Sequence, residues 1–137
     1  MEKSSNMDIN SLTFDIIGAA IEVHSALGPG LLESLYQKAL YLELKERGHI
    51  VVAEYPVEVF YKGQKISENL RVDLLVDNEI VVELKSVEEL NSIHFKQTSS
   101  YLRILNKQIG LLINFNVISL KDGVNRVINP YYNNNRL

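Results

Sequence analysis

The most regular alternation of apolar and polar positions lies between Arg71 and Lys85. The stretch reads RVDLLVDNEIVVELK, with apolar side chains at every second position in both halves. Successive side chains of a strand point to opposite faces, so this period of two predicts two half-buried strands. Asp77-Asn78 between them indicates a turn, because both residue types tolerate left-handed backbone.

The chain before this hairpin predicts two helices. An apolar segment capped by Ser11 or Thr13 predicts a largely buried helix that ends near Leu27. A Gly-Pro-Gly break follows, and a second helix is expected from Leu31 to about Arg47. The apolar stripe expected on this second helix consists of Leu31, Leu32, Leu35, Ala39 and Leu42.

Strands are expected on both sides of a third helix. Residues 57–61 and 64–70 should lead into the Asp73 strand as an antiparallel meander, and Pro56 implies an edge or strand-start position. After Lys85 the pattern predicts a helix to about Lys107, a buried strand over residues 108–115 and a last strand near 124–128.

The polar residues of the central hairpin come together only in one register. Glu83 and Lys85 are two residues apart and share a face. With a two-residue loop at Asp77-Asn78, Asp73 would face Val82 and point away from Glu83. A three-residue loop or a bulge shifts the pairing by one residue and brings Asp73 opposite Glu83. A shared site therefore requires a loop other than a plain two-residue turn.

Two carboxylates and an ammonium on one face could bind a divalent metal ion and activate water. Two carboxylates at such a short distance raise each other's pKa unless a cation lies between them. Mg²⁺ takes one or two carboxylates plus phosphate oxygens, and a nearby lysine can orient or deprotonate water. The alternative is an exposed Asp–Lys–Glu ladder on the solvated face of a hairpin. The spacing alone leaves both interpretations open.

The motif also resembles that of a known family. Asp73 followed by Glu83-Leu84-Lys85 is similar to the core motif of the PD-(D/E)XK nuclease superfamily, although Val72 stands where proline is usual. The segment GLLESLY from Gly30 resembles the signature of the GxxExxY proteins, a bacterial branch of that superfamily. The likeness runs in order from about residue 16 to 115 and includes EVHSALGPG, His94, Gln97, Tyr101 and GLLINF.

This resemblance implies a restriction-endonuclease-like α/β fold, in which a mixed sheet is flanked by helices in the order α-α-β-β-β-α-β. It implies a Mg²⁺- or Mn²⁺-dependent nuclease that hydrolyses phosphodiester bonds of nucleic acid, most naturally DNA. Asp73, Glu83 and the Leu84 carbonyl would hold the ion, and Lys85 would help to activate water. The resemblance gives Glu33 and Gln97 a catalytic role in support of Lys85. It gives a lesser supporting role to Tyr36, His24, His94 and Tyr101.

Several of these residues have ordinary structural explanations as well. Glu33 in a first helical turn favours the helix dipole. His24 among apolar neighbours could be a hydrogen-bonded core histidine. Gln97, expected on the buried side of its helix, could cap a strand end instead of pointing into the site.

Composition sets the outer bounds. With 137 residues one domain is expected, assigned to residues 11–129 between a flexible N-terminal segment, 1–10, and a C-terminal tail, 130–137. There is no cysteine, which excludes disulfides and thiolate metal sites and fits a cytoplasmic protein. No apolar run approaches the roughly 18 residues of a membrane span, so no membrane contact is expected.

The net charge of −3 counts against a nucleic-acid partner, because such domains are usually basic. Lys62, Lys65 and Arg71 either form a phosphate-facing rim or are solvated surface charges. Two other functions therefore stay open: a catalytically inactive nucleic-acid or protein binding module, and a metal-dependent hydrolase of small phosphates or nucleotides. A positive groove beside Asp73 would favour nucleic acid, and a closed pocket would favour a small ligand. Formation of a homodimer is also left open.

Overall fold

The computed structural model describes residues 7–134, so the first six residues of the predicted N-terminal segment and residues 135–137 of the predicted tail lie outside it. The described elements, in chain order, are α1 (Ile9–Leu27), α2 (Glu33–Glu46), β1 (Val51–Pro56), β2 (Phe60–Tyr61), β3 (Gln64–Lys65), β4 (Arg71–Val76), β5 (Ile80–Lys85), α3 (Ser92–Leu105), β6 (Ile109–Asn114), a 3₁₀ helix (Leu120–Gly123) and β7 (Val124–Ile128).

Five of the strands form one mixed sheet in the order β1-β4-β5-β6-β7. Only β5 and β6 in this sheet run parallel, and α3 makes the crossover between them. Strand β6 is buried along its whole length, and β7 occupies the predicted range 124–128. The expected mixed sheet flanked by helices is thereby confirmed.

Helices cover both faces of the sheet. Ile80 and Val82 of β5 pack in a core with α1 and α2, whereas Val81 packs with α3 on the other face. The alternation read from the sequence therefore divides the strand between two cores, as a central strand with both faces covered requires. Within residues 7–134, no helix combines the length and the hydrophobicity needed to cross a membrane.

The hairpin β4–β5 has the register that brings the carboxylates together. Val76 pairs with Ile80 and Leu74 with Val82. Asp77 and Asn78 both have positive φ, and Glu79 N–H donates to Val76 O at 3.0 Å, which are features of a type I′ turn. Because pairing begins at Ile80 rather than at Glu79, the loop between the paired residues contains three residues instead of two. The expectation of a loop other than a plain two-residue turn is confirmed.

Contacts from a distant loop hold this turn in place. The Asp77 carboxylate accepts a hydrogen bond from Ile50 N–H at 2.9 Å and lies 2.7 Å from Nδ1 of the buried His49. The other ring nitrogen of His49 faces the carboxylate of Asp15 on α1. The turn that sets the strand register is thus tied to the loop before β1 and to α1.

Helix α1 differs from the prediction at its start and in its burial. The Asp8 carboxylate, not Ser11 or Thr13, caps it and accepts from Ser11 N–H at 2.8 Å. Thr13 instead donates its hydroxyl to Ile9 O. The helix is not largely buried, since it is covered on one side only and Phe14 is 77% exposed.

The predicted apolar stripe of α2 is wrong. The buried side chains are Tyr36, Leu40 and Leu44, spaced one turn apart, while Leu32 is 72% and Leu42 67% exposed. Tyr36 stacks on Phe115 after β6, with ring centroids 4.4 Å apart. This long-range stacking fixes the rotation of the helix, and the leucine stripe is left facing solvent.

The predicted antiparallel meander is also wrong. Strand β1 pairs directly with β4, and β2 and β3 pair only with each other, as a small hairpin outside the main sheet. Val57 N–H donates to Leu70 O at 2.8 Å and closes the base of this hairpin. Pro56 does lie on an edge strand, as predicted, but at its end rather than its start.

A glycine provides a test of the packing after β6. A Cβ on Gly123 would lie 2.1 Å from the backbone oxygen of Asn114, whereas a Cβ on Gly18 within α1 would meet nothing closer than 3.4 Å. We expect Gly123→Ala to lower the free energy of unfolding by about 1–3 kcal/mol. Gly18→Ala should raise it by about 0.5–1 kcal/mol, because alanine is the better helix former. Urea denaturation of both variants measures this, and equal effects would contradict the described packing.

Candidate active site

The site lies where strands β4 and β5 separate. Their pairing ends at Leu74 and Val82. Beyond this point Asp73 N–H donates to Glu83 Oε2 at 2.8 Å, and Leu84 N–H donates to Asp73 Oδ2 at 2.7 Å. Each carboxylate therefore accepts an amide of the opposite strand in place of a backbone carbonyl. The expectation that Asp73 and Glu83 come together is confirmed.

The alternation of side chains between the two faces of strand β4 is reversed at Asp73. Val72 and Leu74 are two residues apart and should share a face, yet Leu74 packs with α1 and α2 while Val72 packs with α3. Such a reversal requires a local twist between the two residues. The twist explains why the Asp73 amide points toward Glu83, away from regular pairing.

Glu54 on the neighbouring strand β1 accompanies this reversal, and the sequence analysis did not identify it. Ala53 pairs with Leu74 and Tyr55 with Val72, and the β1–β4 pairing omits Glu54 between them. Glu54 has a φ of 55°, which is uncommon for glutamate and rare within a strand. Nothing in its sequence context signals this, because Gly, Asn and Asp are the usual left-handed residues.

The segment GLLESLY forms the loop and the helix start above the site. Gly30 has a φ of 94°, which glycine adopts without strain. The Tyr36 hydroxyl accepts from Leu31 N–H at 3.1 Å and donates to Gly28 O, so it holds the loop together. Glu33, the first residue of α2, is exposed and lies one turn before this anchor.

Polar side chains fix the segment that follows β5, one to the same loop and one to β6. The Ser86 hydroxyl donates to Leu31 O at 2.6 Å. The buried Asn114 side chain, at the end of β6, accepts from Val87 N–H and donates to Val87 O. Lys85 therefore directly precedes a segment that these contacts hold in place.

The electrostatics of the carboxylate pair are unfavourable without a cation. Burial, and next the charge of Asp73, raise the pKa of Glu83 to about 8. Burial also raises the pKa of Asp73, and the charges of Glu33 and Glu54 add to this, while the ammonium of Lys85 acts in the opposite direction. Four carboxylates and one lysine thus act on the same end of the sheet.

Comparison with known proteins agrees with this geometry. A family model described as PD-(D/E)XK nuclease superfamily matches residues 10–127. The chain belongs to this superfamily. No curated protein and no solved structure gives a significant match. Membership supports a nuclease-type function, a nucleic-acid substrate and the use of a divalent metal at a coarse level.

The three candidate residues of α3 lie in different surroundings. Burial raises the pKa of the Tyr101 hydroxyl, and the charges of the nearby Glu83 and Asp73 raise it further. The prediction that Gln97 is buried is wrong, because Thr98, Tyr101 and Leu102 form the buried face and leave Gln97 exposed. Nδ1 of His94 accepts from Asn91 N–H at 3.2 Å within the helix cap.

His24 is engaged away from the carboxylates. It is buried near the end of α1, where its Nε2 donates to Val117 O at 2.8 Å and its ring lies 6.2 Å from that of Phe115. These contacts match the interpretation as a hydrogen-bonded core histidine. A supporting role for His24 or His94 in a nuclease site stays a prediction.

The donor set fits a hard divalent ion held by two carboxylates. Among the residues that the structure describes, no group of three or more His, Cys, Asp or Glu is placed to hold a metal. Each carboxylate of the pair uses one oxygen for an amide and keeps a second for a ligand. Mg²⁺ commonly takes only one or two carboxylates, and a cation between Asp73 and Glu83 would relieve their repulsion.

Glu54 provides a test of the backbone reversal. Glu54→Gly should leave the free energy of unfolding within about 1 kcal/mol of wild type, because glycine adopts positive φ freely. Glu54→Val should lower it by about 1–2 kcal/mol. At the neighbouring Ala53, which pairs regularly, the order should be reversed, with valine tolerated better than glycine. Urea denaturation of the four variants decides this, and the same order at both positions would contradict a left-handed Glu54.

The raised pKa of Glu83 predicts a pH-dependent stability. Between its ordinary value of 4.5 and about 8, the folded protein keeps a proton that the unfolded chain has lost. The free energy of unfolding should therefore fall as pH rises through this window. In urea denaturation with a chelator, Glu83→Gln should flatten this fall, and Glu88→Gln at an exposed position should not. An unchanged pH dependence in Glu83→Gln would show that Glu83 is not buried as described.

Proposed function

We propose that this protein is a Mg²⁺- or Mn²⁺-dependent nuclease that hydrolyses phosphodiester bonds of DNA. The observation that carries the proposal is the pair Asp73–Glu83, interlocked through strand amides and followed by Lys85, on a superfamily scaffold. Within the superfamily we assign the chain to the GxxExxY branch. This assignment is supported by the parts that Gly30 and Tyr36 of GLLESLY take in the loop above the site.

The proposed metal ligands are the free oxygens of Asp73 and Glu83 together with the Leu84 carbonyl. The Leu84 amide points to Asp73, and in an extended strand the carbonyl of the same residue points to the same side. Pairing with β4 has already ended there, so this carbonyl faces the same gap as the carboxylates. A bound Mg²⁺ or Mn²⁺ would polarise a phosphate oxygen and lower the pKa of a coordinated water.

Lys85 has the proposed role of activating water and stabilising charge on the phosphate. It lies two residues beyond Glu83, and its charge acts on both carboxylates. Glu33, exposed at the start of α2, would orient water from the opposite side through one of its carboxylate oxygens. Gln97, exposed on α3 one turn before Tyr101, would contact water or substrate with its amide.

The exposure of these groups supports a large substrate over a small enclosed ligand. Asp73 and Lys85 are half-buried, and Glu33 and Gln97 are exposed. A polymer can approach such an open arrangement from outside, whereas recognition of a small ligand usually needs a pocket that buries most of its surface. For this reason we favour a nucleic-acid strand over a free nucleotide.

Lys85 provides the test of catalysis. Lys85→Met should lower the cleavage rate by about 10²–10³, because one well-placed electrostatic donor is lost from the transition state. Affinity for the same DNA should fall much less. The matched control is Lys45→Met, at an exposed position at the far end of α2, where cleavage should be unchanged.

The assay compares single- and double-stranded DNA and RNA with Mg²⁺ and with Mn²⁺, beside Asp73→Ala. Wild-type binding without cleavage of any substrate would reject the enzyme and favour an inactive binding module on the same fold. Cleavage that survives in Asp73→Ala would indicate a contaminating nuclease. Cleavage of RNA alone would correct the proposed substrate.

A further inference from the structure

The small hairpin over residues 57–70 projects from the main sheet. Its strands β2 and β3 pair only with each other. Val59 N–H donates to the Ser67 hydroxyl at 2.8 Å and Ile66 N–H to Val59 O at 2.9 Å, which holds the two arms together. Lys62 and Gly63, both with positive φ, form its two-residue tip. The hairpin is therefore an ordered ribbon whose tip does not pack in either core.

Two aromatic side chains are exposed on this ribbon. Phe60 is 59% and Tyr61 62% exposed. Because they are consecutive in one strand, their rings lie on opposite faces of the ribbon. Ile66 on the other arm is exposed as well. Apolar groups of this size grouped on a projecting element indicate a binding surface rather than a folding requirement.

A lysine accompanies each ring. Lys65 pairs across the ribbon with Phe60, and the Lys62 ammonium lies 5.4 Å from the centroid of the Tyr61 ring. The range 60–65 contains these two lysines and no acidic residue. Lys65 also forms an ion pair with Glu58 at 3.3 Å, but both side chains are exposed and such pairs are weak. A ring beside an ammonium fits a nucleotide, whose base stacks on the ring while its phosphate meets the cation.

The hairpin starts at the end of the sheet that carries the carboxylates. It leaves the sheet after Pro56 and returns at Arg71, and these two residues pair with each other. Asp73 follows two residues later, and its N–H donates to the Glu83 carboxylate. A polymer strand bound at Asp73 would therefore pass next to the base of the ribbon.

We propose that this hairpin binds unpaired nucleotides of the nucleic-acid strand beside the cleavage site, an inference that rests on the nuclease function proposed above. Bases in a duplex are stacked and paired, so their faces are not available to a thin ribbon with one ring on each side. In a single strand every base has a free face. The substrate class this implies is single-stranded nucleic acid or a duplex with an unpaired end.

The test measures binding without cleavage. Full-length wild type and the double variant Phe60→Ala/Tyr61→Ala are titrated, in the presence of a chelator, into a fluorescein-labelled oligodeoxythymidylate of about 12 nucleotides. A blunt duplex of the same length is titrated in parallel, and fluorescence anisotropy is recorded. The matched control is Phe14→Ala, which removes an even more exposed ring, 77% exposed, from α1. Circular dichroism verifies that each variant is folded.

We expect the double variant to bind the single strand at least about tenfold more weakly than wild type, since two stacking contacts are lost. Its affinity for the blunt duplex should stay within about twofold, and Phe14→Ala should match wild type. Lys62→Met should reduce the salt dependence of single-strand binding by about 0.7 in the log–log slope.

Three results would overturn the proposal: absence of single-strand binding by wild type, equal single-strand affinity of wild type and the double variant, or equal losses for single strand and duplex. If anionic lipid vesicles are titrated in parallel and only their binding is lost in the double variant, the proposal is overturned and the hairpin is assigned to a membrane surface. Hairpin-dependent binding without cleavage under Mg²⁺ or Mn²⁺ rejects only the nuclease function. If the double variant cleaves and its binding is unchanged, only the proposed role of the hairpin in binding is rejected.

Discussion

Two hydrogen bonds from strand amides, Asp73 N–H to the Glu83 carboxylate and Leu84 N–H to the Asp73 carboxylate, are the interaction on which the rest of the site depends. Where the two strands separate, each carboxylate accepts an N–H that would otherwise lose its partner. These bonds favour the charged form of each carboxylate, yet burial outweighs them and raises both pKa values. The charge of Asp73 adds to the shift of Glu83, and the charges of Glu33 and Glu54 add to that of Asp73. The fold therefore holds two acids together in an arrangement that is incomplete without a proton or a cation.

Maintaining this arrangement constrains distant parts of the chain. The register that aligns the acids depends on the turn at Asp77, which is held by Ile50 and His49. The reversal of β4 at Asp73 is accompanied by a left-handed residue, Glu54, on β1. Strain of this kind, of order 1–3 kcal/mol, persists only where surrounding structure enforces it, and it is concentrated at functional sites.

Local pattern was sufficient to predict the strands from β4 onward and the condition for a site, but not the pairing of the strands before β4. Period-two alternation located β4 and β5, and counting residues around Asp77-Asn78 showed which register brings Asp73 to Glu83. The face of α2 could not be predicted this way. Two of the five residues of the predicted stripe, Leu31 and Leu32, precede the helix, and a stacking contact of Tyr36 with Phe115, about 80 residues away, decides which side of the helix is buried. Glu54 was missed because a left-handed glutamate has no local signal.

The acidic net charge, which counted against a nucleic-acid partner, has a local explanation. The charges of Glu33 and Glu54 add to those of Asp73 and Glu83, so a phosphodiester is repelled from the site while the acids are ionised and no cation is bound. Apart from Lys85, the cations described near this end of the sheet lie to one side, at Lys62 and Lys65 of the hairpin and at Arg71. If the proposed function is correct, affinity for substrate should come from that flank, whereas the carboxylates decide only whether a bound strand can be cut. Binding and hydrolysis would then be separable properties of neighbouring surfaces.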